Sequence, residues 1–159
     1  MLEKRRQAVF WGLLAGAFAG LGQAPMSLPW AALVGFGVAY HLHTTTITVR
    51  RAAWLAWVFG LGYFAVTLHW IVEPFLVDPV RHGWMAPFAL GLMAGGAAVF
   101  WALAAAVARH IALQGWAGLG AWVVCLASAE LLRSYVFTGF PWALIGHVWV
   151  GWAPMQWAA

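Results

Sequence analysis

The sequence predicts an all-α membrane protein, a polytopic bundle of about five transmembrane helices with the start of a sixth. Three observations carry that reading. Of 159 residues, 65% are hydrophobic and only 8% are charged, about a third of the charge that covers a soluble domain. The apolar residues fall in runs near the roughly 17 to 25 residues that cross a bilayer. Thirteen tryptophans are present, and Trp30, Trp70, Trp84 and Trp116 lie near predicted span ends, where an indole keeps its ring in the headgroup zone.

The first span is expected over residues 8–22. The preceding "EKRR" and the following apolar run also fit a secretory signal peptide, but the rest of the sequence is equally apolar. The second is expected over residues 28–41, after a turn containing Pro25 and Pro29, and the third over residues 52–72. "EPFLVDPVRHG" then reads as a loop. The fourth span is placed over residues 84–108 and the fifth over residues 116–135. An outer loop with aromatic anchors is expected over residues 136–152, followed by the opening of a further span. Ending at Ala159 without a polar tail or basic stop signal, the chain is expected to be a fragment of something longer, residues 1–159 forming one transmembrane bundle.

The net charge of +4 is not a nucleic-acid footprint, because the basic residues stand singly or in pairs between apolar runs. They read as topology signals instead. With the N-terminus inside, Lys4, Arg5, Arg6, Arg50, Arg51 and Arg109 are inner, and only Arg81 and Arg133 are outer. Six against two favours a cytoplasmic N-terminus. It puts the Glu73–Asp78 loop and the stretch "FTGFPW" on the outer side.

Glycines four apart, Gly12, Gly16 and Gly20 in the first span and Gly91 with Gly95 in the fourth, suit close helix packing. One cysteine, Cys125, excludes an internal disulfide and a thiolate metal cluster. It sits mid-span, where burial makes a thiol a poor nucleophile, so packing is its expected role. The six histidines contain no i, i+4 pair of the kind that sets two imidazoles on one metal. No metal site, cofactor, phosphate loop or catalytic dyad is expected.

Two features remain. Glu130 and Arg133 place opposite charges three apart on one helix face, in a setting where charge is expensive and usually has a use. They read either as a functional pair or as an interfacial ion pair that fixes the depth of the fifth span. In "FTGFPW", Pro141 fixes its own φ and pushes Phe140 toward extended geometry, and Gly139 permits a sharp turn. Trp142 is thus presented rigidly, as a belt anchor or as part of a site.

The stretches "GLGYFAVTLHWIVEPFLVD" (Gly60 to Asp78) and "AELLRSYVFTGFPWALIGHVW" (Ala129 to Trp149) resemble apolipoprotein N-acyltransferases. In that family a glutamate and an arginine end a span and Thr-Gly-Phe-Pro-Trp follows. The resemblance also covers the glycine-rich first span and the order of spans. It implies a bacterial inner-membrane enzyme that moves a fatty acyl chain from a phospholipid donor to the amino group of a lipoprotein's diacylglyceryl-cysteine. The family does this with a Glu-Lys-Cys triad in a periplasmic nitrilase-like domain, none of which stands in this sequence. The chain alone is therefore expected to be inactive, with no catalytic residue of its own. By the same resemblance, Gly139 and Trp142 shape a lipid pocket at the mouth of the bundle. Phe140, Pro141, Glu130, Arg133 and Trp70 complete the residues assigned to substrate binding. His147 stands where the family often has tyrosine or another polar residue. The other reading is a non-enzymatic multi-span protein, a small transporter or an assembly subunit.

Overall fold

The computed structural model describes residues 2–111, 114–136 and 142–151. Every regular element among them is helical. Five long helices carry the fold: α1 (Leu2–Gly20), α2 (Pro29–Thr44), α3 (Val49–Thr67), α5 (Ala86–Ile111) and α6 (Gly115–Tyr135), with a four-residue α4 (Pro79–His82) before α5. Their starts follow local chemistry. Pro29 occupies the first turn of α2, where its missing N–H costs nothing. The Thr48 hydroxyl caps α3 by accepting from the Arg51 amide, satisfying one of the orphan donors of a helix start.

Each predicted span falls on a long helix, but several boundaries move. The first helix starts at Leu2 rather than residue 8 and ends at Gly20. The third ends at Thr67, not residue 72, and continues as a 3-10 helix, His69–Leu76, bent by 49°. Two local causes are present: the Thr67 hydroxyl donates to the Tyr63 carbonyl at 3.0 Å, and Pro74 lies inside the 3-10 segment. A hydroxyl bonded back to i−4 and an imino residue both disturb the α-helical ladder. The expected loop "EPFLVDPVRHG" is largely helical. Pro79 stands at the first turn of α4, the Asp78 carboxylate accepts from the Arg81 amide, and the helical run continues to Ile111. The expected outer loop 136–152 contains a 3-10 helix, Ile145–Trp149.

Among the described residues, two helical runs are long and apolar enough to cross a membrane, Pro79–Ile111 and Gly115–Tyr135. The bent pair formed by α3 and His69–Leu76 is a third if it counts as one span. Helix α2, at 16 residues, extends only about 24 Å at 1.5 Å per residue, less than the roughly 30 Å of a bilayer's hydrocarbon core.

Helix α3 is central, packed on one side against α1 and on the other against α5; α6 lies on α5 and α2 on α1. The core gathers Phe59, Tyr63 and Phe64 of α3, Ala94, Ala98 and Trp101 of α5, Ala19 of α1, and Leu126 and Ala129 of α6. Glycine brings α1 and α3 together from both sides. A Cβ on Gly16 would collide with the Phe59 carbonyl oxygen, and one on Gly62 with that of Leu13. Such close approach is what drives helix association where lipid supplies no hydrophobic force.

The glycine expectation holds for Gly16 and Gly20, both tight against α3. Elsewhere it fails. Gly12 has only ordinary contacts, and among the described residues nothing lies within 4 Å of a Cβ on Gly91. The α3–α5 approach rests instead on Gly60 against Ala98, while the Gly95 carbonyl accepts from Trp57 Nε1 at 3.1 Å. Gly16→Ala is accordingly expected to cost about 1–3 kcal/mol as an overpacking change, and Gly91→Ala to be close to neutral. Denaturant unfolding of both variants in detergent checks the contrast.

Candidate functional site

Glu130 and Arg133 project from the last turns of α6 into the bundle, not toward its surface: they are 8% and 4% exposed. A pair that merely fixed a helix at the headgroup level would remain wet. Here the charges have left solvent, so each needs protein partners. Arg133 Nη2 donates to both carboxylate oxygens of Glu130, at 3.0 and 3.2 Å. Glu130 Oε1 also accepts from Trp101 Nε1 at 2.8 Å, and Oε2 from the Ile145 amide at 3.0 Å. The guanidinium lies 5.0 Å from the centre of the Phe64 ring, within cation–π range. Its Nη1 donates to the Trp142 carbonyl at 2.8 Å.

The segment after α6 is therefore held by its backbone. Four consecutive residues are gripped in turn. Arg133 takes the carbonyl of Trp142, and the Tyr63 hydroxyl donates to that of Ala143 at 3.3 Å. Gln23 Nε2 donates to the Leu144 carbonyl at 2.7 Å, and Glu130 accepts from the Ile145 amide. Gln23 Nε2 also donates to the Tyr63 hydroxyl at 2.7 Å, linking the two. Inside this grip Ala143 adopts φ +55°, a left-handed conformation that costs a residue with a Cβ roughly 1–2 kcal/mol. Surrounding bonds must supply that.

The result is a fixed place for the Trp142 indole. It meets Trp70, of the 3-10 helix after α3, edge to face with ring centres 4.7 Å apart, a favoured aromatic geometry. Both indoles keep an open side, with Trp142 46% and Trp70 40% exposed. A groove of about 470 Å³ runs between α2, α6 and residues 144–149, and neither indole lines it. Leu33, Phe36, Val123 and Leu131 wall it, and Glu130 and Ser134 give it a polar end. Chemically the arrangement offers apolar and aromatic contact beside a buried charge pair.

Of the residues singled out from sequence, Glu130, Arg133, Trp142 and Trp70 come together. Gly139, Phe140 and Pro141 lie outside the described residues. His147 is exposed, its amide donating to the Leu144 carbonyl at 3.1 Å. Cys125 is a half-buried free thiol packed against the core. Trp101, Tyr63, Phe64 and Gln23 were not anticipated. A tyrosine inside an otherwise apolar run and a glutamine in the turn after α1 were the available signal, since each brings polar atoms that must find partners.

Residues 15–159 match the family described as apolipoprotein N-acyltransferase N-terminal domain. Curated relatives carry the same name. The apolipoprotein N-acyltransferase of Caulobacter vibrioides is 41% identical over 153 residues, covering 92% of this chain and 28% of its own. That of Brucella melitensis is 39% identical over 143 residues, covering 84% and 27%. The Sinorhizobium medicae protein is 36% identical over 147 residues, covering 87% and 28%. The chain thus spans little more than a quarter of the length of the curated relatives it matches. It belongs to the apolipoprotein N-acyltransferase family, and what it matches is that family's N-terminal domain.

Proposed function

We propose that residues 1–159 are the membrane bundle of an apolipoprotein N-acyltransferase. The complete enzyme moves a fatty acyl chain from a phospholipid to the N-terminal diacylglyceryl-cysteine of lipoproteins. Its Glu-Lys-Cys triad belongs to a nitrilase-like domain outside this chain, so the bundle alone is inactive. The bundle crosses the bacterial inner membrane with its N-terminus cytoplasmic, through about five spans and the start of a sixth. Residues 139–142, with Trp70, Glu130 and Arg133, shape the outer mouth where lipid chains reach the catalytic thiol. One observation carries this reading: both members of a buried ion pair also hydrogen-bond the backbone that presents Trp142. The apolar groove beside Glu130 suits an alkyl chain.

The activity is tested in cells depleted of their own N-acyltransferase and supplied with the full-length protein. Mass spectrometry of a lipoprotein N-terminus is expected to find an added acyl chain on the amine, and residues 1–159 alone are expected to add none. A lipoprotein left with a free amine by the full-length protein contradicts the proposal. Orientation is tested separately with single cysteines in a Cys125→Ala background. Val80→Cys is expected to react with an impermeant thiol reagent from outside, and Ile47→Cys only after permeabilisation. Both positions are exposed, whereas the nearby Thr46 is buried and would stay silent on either side.

A further inference from the structure

We infer that Gln23 and Tyr63 are positioning residues for the Trp142 wall, acting through the strained backbone of Ala143. The inference rests on the proposed role of Trp142 and assigns work to two residues outside the α6 ion pair. Tyr63 is fully buried on α3 and Gln23 nearly so in the turn after α1, so their polar atoms have no recourse to bulk water. The backbone around Gln23 is itself tied: its amide donates to the Gly20 carbonyl, and its carbonyl accepts from the Ser27 amide. The side chain is thus delivered from a pinned turn to one place.

That place is the carbonyl of Leu144, with Tyr63 bonded to the carbonyl immediately before it. Together they hold the two successive peptides that follow Ala143, the residue at φ +55°. An alanine left alone relaxes out of that conformation. If it does, the Trp142 side chain swings away from Trp70, because the turn at Ala143 sets the direction of the residue before it. The Glu130–Arg133 pair holds the two ends of the segment, Trp142 and Ile145. Gln23 and Tyr63 hold its middle. Residues from the turn after α1 and from α3 therefore set the geometry of a wall that the sequence places beyond α6.

The experiment follows hydrogen exchange at the Ile145 amide in the full-length protein, for Gln23→Leu and Tyr63→Phe. Each loss of a net hydrogen bond is expected to raise exchange there up to about tenfold, with the α3 and α5 amides unchanged. Adding Ala143→Gly to Gln23→Leu is expected to recover part of the protection, because glycine adopts positive φ without strain. Acyl transfer to a lipopeptide is expected to slow in step with the loosened amide and to recover with the glycine. Unchanged exchange at Ile145 in both variants overturns the inference, as does a rise spread through α3 and α5, which marks an ordinary structural role. Faster exchange at Ile145 with an undiminished transfer rate leaves the clamp standing and overturns the proposed role of Trp142.

Discussion

Replacing Glu130 by leucine is expected to destabilise the bundle by about 3–5 kcal/mol, the usual consequence of removing one partner from a buried ion pair. Arg133 would keep its charge at 4% exposure with no carboxylate beside it. Trp101 Nε1 and the Ile145 amide would lose their acceptor as well. A buried donor without a partner carries its own desolvation penalty of about 1–3 kcal/mol. The double variant Glu130→Leu with Arg133→Leu is expected to recover much of the loss, since no charge is then left buried. It is not expected to recover acyl transfer, because the ends of the 142–145 segment stay unheld. Denaturant unfolding in detergent together with transfer assays on the full-length protein checks both halves. A Glu130→Leu protein as stable as the parent would place the pair in a wet, interfacial setting after all.

Trp142→Ala is expected to do the reverse: little to stability, and about a hundredfold to transfer rate, the scale of a substrate displaced by around an ångström. The indole is half exposed, and Arg133 bonds the backbone of residue 142, not its side chain, so the segment keeps its hold in the variant. The variant loses the edge-to-face contact with Trp70, worth about 0.5–1.5 kcal/mol in itself. Trp142→Phe retains a ring to meet Trp70 and is expected to fall between. Thioester formation and transfer to a lipopeptide, measured separately in the full-length enzyme, show which step loses the wall. Normal rates in both would return Trp142 to the status of an interfacial anchor.

Helical class was legible because hydropathy acts locally. Long apolar runs fix where helices lie, and each of the five expected spans overlaps one. The shared face of Glu130 and Arg133 was legible for the same reason: spacing on a helix is local geometry. Their burial was not. A charged pair near a helix end reads alike whether that end meets headgroups or the interior of the bundle. Only the neighbours decide, and these come from far along the chain: Gln23 reaches a carbonyl 121 residues away and Tyr63 one 80 residues away. The glycine pattern was half legible, since spacing marks a stripe of small residues without saying which stripe faces a partner. Gly16 faces α3, and among the described residues Gly91 faces nothing within 4 Å. The helix at Pro79 could have been read from Asp78 and Pro79, a cap followed by a proline in the first turn, but the cluster of charge and proline around it suggested a loop.

In the function we propose, the mouth formed by Trp70 and Trp142 receives lipid chains. Its most direct test uses the purified full-length protein in lipid nanodiscs with a phospholipid carrying a photoactivatable group at the end of one acyl chain. After illumination and digestion, labelling is expected to concentrate on the peptides containing Trp70 and Trp142, to fall with excess unlabelled phospholipid and to be lost in Trp142→Ala. Labelling no denser there than on the peptides of the exposed Trp84 and Trp116, and indifferent to competitor, would contradict it.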